Sequence, residues 1–79
     1  MSHTPHELVE EFPEHAGAIH RLKEENAHFA RLFDEYHQVN RAIHRAETLV
    51  EPTDELHEQT MRKQRMMLKD ELWRMLQAG

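Results

Sequence analysis

The sequence predicts an all-α chain, an antiparallel two-helix coiled-coil-like hairpin with a short N-terminal helix, and three observations carry that reading. The 79 residues hold only two glycines and three prolines, with 32% charged residues and abundant Glu, Lys, Arg, Leu, Met and Ala, a composition that favours long exposed helices. Apolar residues recur in steps of three and four along two stretches, separated by one break at Glu51, Pro52, Thr53 and Asp54. Folding the chain about that break brings the two apolar series level with each other.

The elements follow in order within a single domain, residues 1–79. Thr4, Pro5 and Glu7 make a helix start, because Thr caps free amides, Pro suits the first helical position and Glu closes a capping box. A short helix is expected over residues 1–12. Pro13 lacks an amide hydrogen and disfavours helical geometry in Phe12, so the chain breaks there and a long helix over 13–50 begins. Its apolar positions are Leu22, Phe29, Leu32, Tyr36, Val39, Ile43, Ala46 and Val50, a heptad seam after Phe29. Pro52 ends it, residues 51–54 form a turn, and Thr53 or Asp54 caps a second helix over 55–78 that ends before Gly79.

That second helix carries Met61, Leu68, Leu72 and Met75 in heptad steps. In the folded-back arrangement Met61 pairs with Ile43, Arg65 with Val39, Leu68 with Tyr36, Leu72 with Leu32 and Met75 with Phe29, all with one constant index sum. A short connection makes consecutive helices antiparallel neighbours, and a slipped register would lose the match. Arg65 interrupts the seam, level with Val39 and Asn40. Two readings stand: a register lock in which Arg65 reaches Asn40, Glu35 or the Tyr36 hydroxyl, or a stem lying along the seam with its guanidinium in water.

Three stretches, HELVEEFPE at residues 6–14, LKEENAHFARLFDEYHQVNRAIHRAE at 22–47 and MRKQRMMLKDELWRML at 61–76, resemble the YdcH family of small bacterial proteins, a family defined as a domain of unknown function. The LKDE core in the last stretch is typical of it. The resemblance implies a helical, coiled-coil-like bacterial protein with no established catalytic activity or cofactor, and no site residues.

With the seams paired, Ile19 and Phe33 remain on one flank of the long helix, and Met66, Trp73 and Leu76 on the adjoining flank of the second. Together they form an apolar edge stripe, whereas the other edge, with His28, Glu35, Gln64 and Glu71, is polar. The stripe is the candidate interface. Self-association covers it in one reading, favoured because Ile19 and Leu22 lie past the reach of the second helix and a two-helix core is small. In a second reading the N-terminal helix folds back and lays Leu8, Val9 and Phe12 over it. A helical protein partner is the third.

Chemistry is scarce. Eight histidines invite a metal, but His37 and His44 lie two turns apart, about 10 Å along a helix, and most others face solvent. His3 and His6 approach within a first turn, and a free Met1-Ser2-His3 terminus suits square-planar copper or nickel, yet removal of Met1 would displace that His. HELVE begins like a zinc-protease motif but has Glu10 where a second His is needed. No activated nucleophile, phosphate loop or substrate cavity is evident, and zero cysteines exclude disulfides and thiolate metal sites. The expectation is no enzyme, no cofactor, no metal and no small-molecule substrate.

The charge is uneven. The net value is −5, with six acids and two bases over residues 1–25 but four bases and no acid over 61–69. Arg41, Arg45, Arg62 and Lys63 form a candidate basic patch for RNA or another acidic partner, against which stand the net negative charge and pairing with Glu47 and Glu58. No stretch approaches the roughly 20 apolar residues of a membrane span and the N-terminus lacks a basic region followed by an apolar run, from which a cytoplasmic location is inferred. The function expected from sequence is a small non-catalytic helical interaction or adapter protein that self-associates, with nucleic-acid or acidic-partner binding as the alternative.

Overall fold

The computed structural model of the chain describes residues 6–48 and 55–78. Among these are four α-helices and no strand: α1, Leu8–Glu11; α2, Ala16–Glu25; α3, Ala27–Glu47; and α4, Glu55–Ala78. One 3₁₀ turn, Pro13–His15, joins α1 to α2. The expected turn at 51–54, the Thr4–Pro5 start and the Met1-Ser2-His3 terminus lie outside the described residues. No described helix is long and apolar enough to cross a membrane.

The first helix is one turn long and is capped at Glu7, later than a cap at Thr4 would place it. Glu7 is extended, and its amide donates to the Glu10 carboxylate at 3.3 Å, satisfying a donor that a helix end would otherwise leave unpaired. His6 before it has φ 63°, a left-handed conformation uncommon in residues other than Gly. Pro13 supplies the first residue of the 3₁₀ turn, where its missing amide costs no hydrogen bond.

The continuous helix expected over 13–50 is divided at Asn26, and this is the largest correction to the sequence reading. Asn26 is extended (φ −127°, ψ 106°), its amide still donates to the Leu22 carbonyl, and its Oδ1 accepts from the Phe29 amide at 3.1 Å. One residue therefore closes α2 and caps α3. Short polar side chains compete with the helical backbone in this way. A straight helix over 13–47 would be about 52 Å long at 1.5 Å per residue, but the molecule's longest extent is 38 Å. The bend folds α2 back onto α3 and returns Ile19 and Leu22 to the core.

Two apolar clusters result. The larger holds Leu8, Ile19, Phe29, Tyr36, Leu72 and Leu76, drawing on all four helices; the smaller joins Ile43 and Ala46 of α3 to Met61 of α4. Glu47 meets Arg62, and Asn40 meets Arg65, so contacts descend α3 as they ascend α4. Asn40, fully buried, accepts from Arg65 Nη1 at 2.9 Å, which places a polar contact between the two clusters.

Candidate interaction surface

The two edges of the α3–α4 pair differ, and their character follows from where the N-terminal segment settles. Leu8 is fully buried, and its amide donates to Nε2 of the buried His37 at 3.4 Å. Nδ1 of His37 lies 2.8 Å from the Phe33 carbonyl. A carbonyl only accepts, so Nδ1 carries the hydrogen and Nε2 is left as the acceptor for Leu8. The Tyr36 hydroxyl donates to the His6 carbonyl at 2.6 Å, and Lys69 Nζ donates to Glu11 at 2.8 Å. These contacts tie the segment to α3 and to α4.

Phe12 then stacks on Trp73 with ring centroids 4.8 Å apart, and His15 meets the same indole edge-on at 5.2 Å. Lys23 of α2 lies 4.3 Å over the ring of Phe33, a favourable cation–π placement. Ile19 and Leu76 are core residues, while Phe33 and Trp73 are half-buried against the core. The stripe of Ile19, Phe33, Met66, Trp73 and Leu76 is therefore not an exposed edge. The chain covers it with its own N-terminal segment and with α2, because the bend at Asn26 and the turn at Pro13 return both to that side. Met66 alone of the five stays exposed, beside a concavity lined by His6, Glu11, Tyr36, Arg62, Arg65 and Lys69.

The edge expected to be polar has an apolar floor. A groove of about 530 Å³ runs along it, lined by Leu32 of α3 and by Thr60, Lys63, Gln64, Met67, Leu68 and Glu71 of α4. Met67 is 64% exposed there. Sequence reasoning passed over it because Met67 stands one residue off the α4 seam, on a face whose neighbours Thr60, Gln64 and Glu71 are polar. The next apolar residue on that face, Leu56, stands eleven positions earlier, too far for a periodic signal. The flanking wall comes from Leu32 and Leu68, seam residues that the pairing leaves half-buried.

The basic patch is partly spent inside the molecule. Arg62 Nη2 donates to Glu47 at 3.0 Å and to Glu58 at 3.2 Å, which neutralises the residue meant to anchor an acidic ligand. Arg41 and Arg45 are exposed on α3, and Lys63 lies along the groove. Among the described residues no group of three or more His, Asp or Glu side chains converges as metal ligands would.

Two carboxyl- and phenol-bearing side chains at the clasp titrate away from their ordinary values. The hydrogen bond from Lys69 holds the Glu11 carboxyl below the usual carboxylate range, against burial. Burial pushes the Tyr36 phenol up to about 12, with the charge of Glu11 adding to the effect. Both shifts follow from the N-terminal segment lying against α3 and α4.

The model of a family described as protein of unknown function (DUF465) matches residues 29–76, all but the first two residues of α3 and the last two of α4. The chain is also 38% identical over 66 residues to the uncharacterized protein YdcH of Escherichia coli strain K12, covering 84% of this chain and 89% of that protein. The chain belongs to this family. The YdcH of Shigella flexneri matches over the same span at the same identity. No solved structure matches the chain. The residues matched by the DUF465 model thus include all those that line the groove, Leu32 and Met67 among them.

Proposed function

We propose that this DUF465 protein is a non-catalytic helical interaction protein, an antiparallel α3–α4 hairpin with coiled-coil-like packing whose exposed α4 face binds a second copy of the chain. One observation carries the reading: an apolar groove lined by Leu32, Met67 and Leu68 and rimmed by Lys63, Gln64 and Glu71. Exposed apolar concavities rimmed by polar groups are characteristic of contact sites, and a groove between two helices fits the apolar face of another helix. Methionine suits such a site because its flexible thioether adapts to a partner's shape. The small core of a chain this size is a further reason for association. Binding of RNA or another acidic partner is less supported, since Arg62 is already held by Glu47 and Glu58.

The test is sedimentation equilibrium of the wild type and of Met67→Lys over a wide concentration range, with helicity followed in parallel. The expected result is a reversible dimer for the wild type and a folded monomer for the variant. A wild type that stays monomeric at millimolar concentration overturns self-association.

A further inference from the structure

The α4 face that lines the groove has a charge pattern with its own two-fold centre. Met67 stands at the midpoint of α4, Glu55–Ala78. Lys63 and Glu71 lie four residues to either side of it, and both line the groove. Gln64 and Asp70 stand three residues away, and Thr60 and Arg74 seven. Each pair offers complementary chemistry: cation with carboxylate, amide with carboxylate, hydroxyl with guanidinium.

From this we infer that the second copy docks by antiparallel α4–α4 packing about a two-fold axis at Met67, with Lys63 of each copy on Glu71 of the other. The inference rests on the self-association proposed above and specifies its geometry. A two-fold contact is self-complementary, so each surface must carry both halves of every pair. Lys63 and Glu71 meet that requirement twice, once on each side of the axis. Parallel pairing would set Lys63 against Lys63 and Glu71 against Glu71. A slip by one heptad would move Met67 opposite Thr60 or Arg74 and lose the apolar centre. Only the antiparallel register centred on Met67 joins apolar to apolar and opposite charge to opposite charge. In it the two Met67 side chains lie side by side at the axis, each against the Leu32 and Leu68 wall of the other copy.

Glu71 already accepts from Arg74 at 2.6 Å within its own helix, so Lys63 of the second copy joins an existing pair, using the acceptor capacity that a carboxylate keeps beyond one hydrogen bond. Lys63 is exposed and forms no ion pair with a described residue, leaving its ammonium available to the second copy.

Charge reversal tests the arrangement. Lys63→Glu and Glu71→Lys each create two like-charged pairs across the axis and are expected to weaken association on the order of a hundredfold. The double variant Lys63→Glu/Glu71→Lys restores both pairs and returns the dissociation constant to within a few-fold of the wild type. An equimolar mixture of the two single variants forms a heterodimer at concentrations where each alone is monomeric. That rescue separates a lost contact from a lost fold, and circular dichroism of each single variant checks helicity. If the wild type dimerises and neither reversal weakens it, this geometry is overturned while self-association stands; a wild type that remains monomeric overturns both.

Discussion

Tyr36 and His6, thirty positions apart in sequence, are joined by a 2.6 Å hydrogen bond from the phenol to the backbone carbonyl. The bond fastens the segment before α1 to the middle of α3, and it requires the phenol to stay protonated. Burial raises the Tyr36 pKa to about 12 from an ordinary value of 10.0, with Glu11 contributing. A folded pKa above the unfolded one means that the stabilisation is complete below about pH 10. It is lost as pH rises toward 12. Because the chain has a single tyrosine, tyrosinate absorbance reads this group alone. The expected titration lies near pH 12 and coincides with loss of structure, and Tyr36→Phe lowers stability by about 1 kcal/mol at neutral pH. Reversible ionisation near pH 10 with helicity intact would contradict the clasp.

The ion pair of Glu11 with Lys69 gives the opposite limb. Its hydrogen bond with Lys69 lowers the Glu11 pKa from the ordinary 4.5. A depressed carboxylate pKa contributes stability above the unfolded value and loses it as pH falls through the folded one. The pair is partly exposed, so its worth is about 0.5 kcal/mol. Urea unfolding of Glu11→Gln should show that deficit at neutral pH and a smaller difference from wild type in acid. A constant offset across the range would assign the effect to something other than this charge.

The stack of Phe12 on Trp73 makes the N-terminal segment visible by fluorescence. Trp73 is the sole tryptophan, and Phe12 covers one face of its indole. Phe12→Ala should red-shift the emission and lower stability by about 1–2 kcal/mol, from lost apolar burial and ring contact. Unchanged emission would mean that the segment does not cover the indole in solution.

Asn26 sets the bend between α2 and α3 through its cap on the Phe29 amide. Asn26→Ala removes the cap and favours continuing the helix, at a cost of about 1 kcal/mol. Asn26→Asp keeps an acceptor and should stay within a few tenths of the wild type. Small-angle scattering checks the shape: any shift toward a straight α2–α3 helix enlarges the radius of gyration over that of the wild type at the same concentration. Equal stability of the Ala and Asp variants would remove the cap as the cause of the bend.

Local chemistry made much of this chain readable in advance. Helical composition, the break at Pro13 and the three-and-four spacing of Phe29, Leu32, Tyr36, Val39 and Ile43 are properties of residues and their near neighbours, so the all-helical class and the family resemblance were both legible. Arg65 stood out because a charge on an apolar seam is costly without a partner, and Asn40 accepts its hydrogen bond in the structure. The bend at Asn26 had a weaker signal: an Asn between Glu25 and Ala27 is tolerable inside a helix, and its propensity cost alone does not break one.

By itself, then, the sequence determined that the chain is helical, which residues are apolar enough to form a core, and which family it belongs to. The tertiary structure decided which edge stays open. Folding back at Asn26 buries Ile19 and lets Lys23 cover Phe33, and the Pro13 turn lays Phe12 on Trp73, so the richer apolar edge closes within the chain. Among the faces left open is the groove around Met67, whose exposure depends on where two distant segments settle rather than on the spacing of its neighbours. Periodicity reports the face on which a residue lies. Whether that face meets water is a property of the whole packing, set by chain segments competing to bury the same apolar area.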